Sequence, residues 1–203
     1  MPSYERLVRA MANYYIADLH LRHANVIRLD GRPFANMEEM EAEIIRRWNE
    51  RVTPQDTVYI IGDFCWQTSN AWIDILKQLK GRKVLIRGNH DPKRIDGKLA
   101  KMFDDVKDYK EINDNGRRVC MSHFPNMFYN KSYHANTYML CGHVHTTLEN
   151  EWLEKWRSEL RKQRVLDGGG NYGNIINVGC MMPYMNYTPR TLDELIEGVG
   201  WRA

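Results

Sequence analysis

The sequence predicts an α/β fold, and three observations predict it. Short β-branched and aromatic runs alternate with helical patterns along the chain. Polar clusters rich in His, Asp and Asn follow several of those runs directly. No internal repeat, low-complexity tract or linker breaks the alternation, so residues 1–203 read as one domain. A chain of that length can bury a sizeable core.

The elements follow in order. Residues 14–18 read as a first strand. Asn36 can cap a helix running to about residue 52, with Met37, Met40, Ile44 and Trp48 along one face. Residues 57–61 are β-branched and aromatic, the pattern of a buried strand. Residues 70–80 form a second helix, and Gly81 suits its C-terminal end. Residues 83–86 are the next strand. Asp114-Asn115-Gly116 is a turn signal between strands over 106–112 and 118–121. Residues 137–141 make a short strand ending at Gly142. The charged stretch 149–164 is helical in pattern, and Gly168-Gly169-Gly170 breaks it. Residues 175–178 are the final strand. Thr191 to Glu194 forms a capping-box pattern that opens a last helix.

Composition excludes some classes. Hydrophobic content is 43%, charged content 27% and formal net charge +3, a mixed surface too mild to mark a nucleic-acid or membrane partner. No stretch is apolar and long enough to span a bilayer, and residues 1–13 lack the apolar core of a signal peptide. Cys65, Cys120, Cys141 and Cys180 stand far apart, without metal-finger spacing. A reduced, cytoplasmic setting is the expectation.

Five polar clusters fall at strand ends: Asp18-Leu19-His20, Gly62-Asp63, Gly88-Asn89-His90-Asp91, Ser122-His123 and Gly142-His143-Val144-His145. Ligands of α/β sheets bind beyond the carboxyl ends of strands, so these clusters can converge on one edge. Five of the seven histidines lie in them, a concentration that packing does not explain. Imidazoles, carboxylates and one amide suit Mn, Fe, Zn, Co or Ni better than Ca or Mg alone. On an extended segment Asp18 and His20, or His143 and His145, would point to the same side. Seven candidate ligands exceed the needs of one ion, whereas two ions sharing a carboxylate would use them.

With these motifs in this order, the chain resembles the calcineurin-like metallophosphoesterase superfamily, and its segment from Asp18 to Phe34 is similar to the small bacterial and phage members. The resemblance implies a four-layer fold, two sheets flanked by helices. It implies that Asp18, His20 and His145 hold one metal, that Asn89, His123 and His143 hold a second, and that Asp63 bridges them. It makes His90 the general acid, with Asp91 orienting it through a hydrogen bond. The implied reaction is hydrolysis of a phosphodiester or small phosphomonoester, a nucleotide among them, by a metal-bridging hydroxide. Manganese is the first expected metal.

Some residues depart from the family pattern or stay open. Arg22 stands where many relatives carry Gly, and is either a phosphate contact or a solvated loop residue. His23 and His134 are further substrate-contact candidates. Phe64-Cys65-Trp66 follow Gly62-Asp63 where many relatives carry a second acid. Trp66 and Trp72 read as core by default. Residues 146–174 form a helical insertion whose Trp152, Trp156 and Leu160 make an apolar stripe. Packing on the domain is its first reading, a lid or a contact between identical chains the second. The alternatives to hydrolysis of a small ester are a catalytically silent scaffold and a nuclease acting on nucleic-acid ends. All eight matched positions carry the family residue, which disfavours the scaffold, and no basic stripe supports the nuclease.

Overall fold

In the computed structural model, which describes residues 11–162 and 173–201, the apolar runs become the strands of two four-stranded sheets. The first contains β1 (Asn13–Ile16), β2 (Thr57–Ile61), β3 (Arg82–Ile86) and β4 (Asp105–Lys107), in that order and all parallel. Parallel neighbours need crossover connections. These are α1 (Ala24–Leu29) with α2 (Met37–Arg51), then α3 (Ser69–Leu76), then α4 (Gly97–Ala100). The second sheet holds β5 (Tyr109–Asp114), β6 (Arg117–Ser122), β7 (Thr137–Cys141) and β8 (Ile175–Asn177). β5 is antiparallel to β6, and β6, β7 and β8 run parallel. α5 (Leu148–Lys162) precedes β8, and α6 (Leu192–Gly198) ends the described fold.

The sheets are joined at both ends. The expected single strand over 106–112 is in fact two strands in different sheets, with the switch at Asp108. No Gly or Pro marks the break. It is set by tertiary pairing of β4 with β3 and of β5 with β6, while Arg87 clamps the Asp108 carboxylate at 2.8 and 2.7 Å. At the other end the continuation of β8 reaches β1. The Ala17 N–H donates to Val178 O, and the Cys180 N–H donates to Ala17 O, both at 2.8 Å. Between these joins lies one continuous core, including the fully buried Ile16, Ile60, Leu85, Met121, Leu140 and Ile176. Burying each such side chain contributes about 1.5–3 kcal/mol.

The helices cover this core. α2 is capped as its sequence indicates, with Asn36 Oδ1 accepting the Glu39 N–H at 2.8 Å, and it buries Met40, Ile44 and Trp48. α6 opens on the full Thr191–Glu194 capping box. α3 stops at Leu76, short of residue 80. The Asn49 amide takes Gln78 O (2.7 Å) and the Lys80 N–H (2.8 Å), groups that a longer helix would need. α5 buries Asn150, Leu153 and Arg157; of the predicted stripe, Trp156 packs partly buried against the core beside Leu153, while Trp152 is left 67% exposed. Arg157 can be buried because it donates to Ile175 O at 3.0 Å and lies 4.9 Å over the Trp201 ring. The triglycine at 168–170 lies outside the described residues. All four cysteines are buried free thiols, and no described helix is long and apolar enough to cross a membrane.

Candidate metal centre

The candidate ligands sit one to four residues beyond a strand. Asp18 follows β1, Asp63 follows β2, Asn89 follows β3, His123 follows β6 and His143 follows β7. Asp18 and His20 were expected to converge as alternate residues of an extended segment, and so were His143 and His145. They do converge, by a different backbone route. Asp18, His20, Asp63, His143 and His145 all have left-handed φ values of 55, 47, 52, 70 and 44°. Such conformations cost about 1–2 kcal/mol per L-residue, and they persist where surrounding structure over-determines them. Here the His20 N–H donates to Asp63 O at 2.9 Å and the Asp18 N–H to Gly62 O at 3.1 Å. The motif glycines allow the close approach. A Cβ on Gly142 would stand 2.5 Å from Asp18 Oδ2, and one on Gly88 would run into Asp63 Oδ1.

The donor atoms face one another in two groups. Around the first position, His20 Nε2 lies 3.2 Å from His145 Nε2 and 3.6 Å from Asp63 Oδ2, and His145 Nε2 lies 3.9 Å from Asp18 Oδ1. Around the second, Asn89 Oδ1 lies 2.9 Å from His123 Nε2 and 3.0 Å from His143 Nδ1, and His123 Nε2 is 3.5 Å from Asp63 Oδ2. Donors bound about 2.0–2.2 Å from an ion at angles near 90–110° stand about 2.8–3.6 Å apart, so these residues fit metal coordination. Asp18, His20 and His145 form one group that could hold an ion, and Asp18, Asp63 and His123 another. His123 Nδ1 points to Ile61 O at 3.1 Å and carries the proton there, so its Nε2 lone pair faces Asp63 and Asn89.

Asp30 and Arg32 support this centre, and neither was singled out as a site residue from the sequence. His145 Nδ1 pairs with Asp30 Oδ1 at 2.8 Å, which leaves its Nε2 lone pair for the site. The other Asp30 oxygen takes the buried Arg32 guanidinium at 2.8 and 3.0 Å. Arg32 also donates to Leu19 O (2.8 Å) and Asp18 O (2.9 Å), fixing the first metal loop. The available signal was an arginine between Gly31 and Pro33, close after that loop. Asn177 is likewise unread and fully buried, and it donates to His145 O at 2.9 Å.

The charges reflect burial. Desolvation, with the nearby Asp63 carboxylate, pushes Asp18 up to about 6 despite His145 and His123. Desolvation and the facing His145 bring His20 down to about 2, so it is a neutral lone-pair donor. Burial also opposes the His145 imidazolium, but the Asp30 hydrogen bond and the Asp18 charge outweigh it and raise His145 above the ordinary range. Two buried carboxylates meeting imidazole nitrogens give the donor chemistry of a transition-metal site.

The remaining predicted residues divide. His90 is exposed at the site, and its N–H donates to Asp63 Oδ1 at 2.9 Å. Asp91 does not orient the His90 ring as expected. It is buried, and its two oxygens accept the N–H groups of Gly88 (2.7 Å), Asp63 (3.0 Å) and Phe64 (3.0 Å). With the carboxylate committed to three backbone donors, its role is to hold the Asp63 and Asn89 loops together. Arg22 is paired with Glu41 of α2 at 3.2 Å. His23 lies flat on Trp66, with ring centroids 4.2 Å apart at 8°. Trp72 is fully buried as read, whereas Trp66 is 44% exposed beside the site. Phe124, half exposed, sits 4.4 Å from the His143 ring. His134 is not brought to the cluster. It precedes β7, whose opposite end leads to His143, about 16 Å away at the rise of a strand.

Fold and site together define an α/β protein with metal-ligating clusters at the strand ends of two joined sheets. Residues 11–191 match the calcineurin-like phosphoesterase superfamily domain, and the chain belongs to that superfamily. It is 33% identical over 186 residues to an uncharacterized protein of Methanocaldococcus jannaschii, covering 91% of this chain and 89% of that one. It is 32% identical over 128 residues to the gene 66 protein of a Mycobacterium phage, covering 55% and 63% of the two chains. The crystal structure of a protein of unknown function from Aquifex aeolicus is similar with a TM-score of 0.66 at 27% identity, over 93% of this chain and 99% of the other. The superfamily is one of metal-dependent phosphoesterases, and this chain carries candidate ligand clusters for such metals.

Proposed function

We propose that this chain is a dinuclear metal-dependent phosphoric ester hydrolase acting on a phosphodiester or a small phosphomonoester. One observation carries the reading. A single oxygen, Asp63 Oδ2, stands 3.6 Å from His20 Nε2 and 3.5 Å from His123 Nε2, between the two donor groups. That is where a carboxylate shared by two ions would stand. Asp18, His20 and His145 would complete one position; Asn89, His123 and His143 would complete the other. When bound, two such ions lower the pKa of water and offset charge on phosphoryl oxygens. Manganese is the first ion to test, then zinc, iron, nickel and cobalt.

The chain's own residues supply the rest. Asp30 holds the proton on His145 Nδ1, and Asp91 fixes the backbone on which Asp63 is mounted. His90, tied through its N–H to the same Asp63, presents an exposed imidazole that would protonate the leaving oxygen. General acid catalysis of this kind contributes about 10²–10⁴-fold.

The test is hydrolysis of a chromogenic phosphodiester and a phosphomonoester after chelation, with each metal returned in turn. Activity restored by a transition metal is expected, and the diester-to-monoester ratio would narrow the substrate class. Metal binding without hydrolysis of either ester would overturn the reading in favour of a metal-binding scaffold.

A further inference from the structure

We infer that Trp66, held flat against His23, positions the His90 imidazole beside the metal centre; this rests on the reading of His90 as the proton donor. A proton donor is effective only if its ring is held within reach of the leaving oxygen. Among the described residues no carboxylate does this for His90. Asp91 spends both oxygens on backbone N–H groups, and among the described residues no side chain hydrogen-bonds to the His90 ring. Its neighbours are aromatic. The ring centroid lies 4.5 Å from Trp66 at 47°, and 5.7 Å from His20 in an edge contact.

Trp66 is itself fixed in place. Its backbone N–H donates to Leu21 O at 2.9 Å, and the adjacent Cys65 forms a parallel bridge with Leu21. Its indole stacks on His23 at 4.2 Å and 8°. The chain of contacts therefore links the loop after β1, through the loop after β2, to the loop after β3. A tryptophan is usually well buried, yet this one keeps 44% of its surface exposed and spends its ring contacts on site histidines. An indole fixes the place of the His90 ring without adding a charge that competes for its proton. Trp66 is thus a positioning residue, with His23 as its buttress.

Leaving-group dependence separates this role from simple packing. A nitrophenolate leaves with little help, whereas an alkoxide needs a proton. Trp66→Ala is expected to lower kcat on an alkyl phosphodiester about 10–100-fold with little change in KM. It should lower kcat on the nitrophenyl ester by less than about 3-fold, and Trp66→Phe should restore most of the alkyl rate. Equal losses on both esters, or a rise in KM alone, would overturn the role. The His90 Cε1–H resonance of the metal-free protein gives a reading independent of activity. Both Trp66→Ala and His23→Ala should move it through lost or altered ring-current shift, and an unmoved resonance would overturn the contact. If the wild-type chain hydrolyses neither ester with any metal, the proposed function fails, and the resonance still decides whether Trp66 holds His90.

Discussion

Asp18 ties the site to pH. Its carboxyl is held at about 6 without an ion, chiefly by burial, and it must lose its proton to bind one. Metal affinity should therefore fall as pH drops through about 6, by about tenfold per unit for one proton displaced. His145, raised by Asp30 and Asp18, adds to the fall in the same direction. Stability of the metal-free chain has the opposite sign for Asp18. A raised pKa favours the fold below the ordinary 3.8, and that contribution is lost as pH rises through about 6. Calorimetric metal titrations at pH 5, 6 and 7 check the affinity trend; a flat response would show that Asp18 is not a ligand. His90 makes the complementary case. His90→Ala should keep metal content near wild type while turnover falls about 10²–10⁴-fold. Elemental analysis beside the rate decides it, since loss of both metals would make His90 a ligand.

At the scale of elements, the loop from β1 to α2 acts as a bracket on the Asp18 loop and the His145 ring. Asp30→Ala would leave the buried Arg32 guanidinium without its carboxylate partner and would free His145 Nδ1. A stability loss of about 3 kcal/mol and a metal affinity about 10–100-fold weaker are expected. Thermal melts of the metal-free protein and metal titrations read the two effects separately. This bracket was not legible in the sequence, because Asp30 and Arg32 carry no local pattern that ties them to His145, which is distant in the chain. Strand ends were legible, because β-branched runs such as residues 57–61 stop directly before Gly62-Asp63. The split between β4 and β5 was hidden, since no Gly or Pro marks Asp108 and the break is set by which neighbour each strand pairs with. The packed face of α5 was legible only in part. Trp156 packs as the stripe indicates, but Trp152 stays exposed and Arg157 is buried through a hydrogen bond that periodicity does not register.

At the scale of the molecule, the two sheets bring donors from distant segments to a common edge. The parallel strands β1 to β3 deliver Asp18, Asp63 and Asn89, and β6 and β7 deliver His123 and His143. Bonds between Ala17 and Val178–Cys180 lock the sheets together beside the first ligand loop. The candidate ligand clusters were legible because their residue types gather at strand ends in a fixed order. Their left-handed backbone was not, since non-glycine residues there defy local preference and are held by neighbouring loops. The support around His90 was also misread. A carboxylate one residue away, Asp91, looked like its partner, but burial and three backbone donors claim it.

A pair of ions bridged by Asp63 is tested by the number of metal equivalents bound per chain. A calorimetric titration of the chelator-treated protein with Mn²⁺ or Zn²⁺ at pH 7 should saturate at two equivalents. Asp63→Asn should weaken both sites and lower occupancy. Saturation at one equivalent or none, or two equivalents retained with unchanged affinity in Asp63→Asn, would contradict the bridged pair.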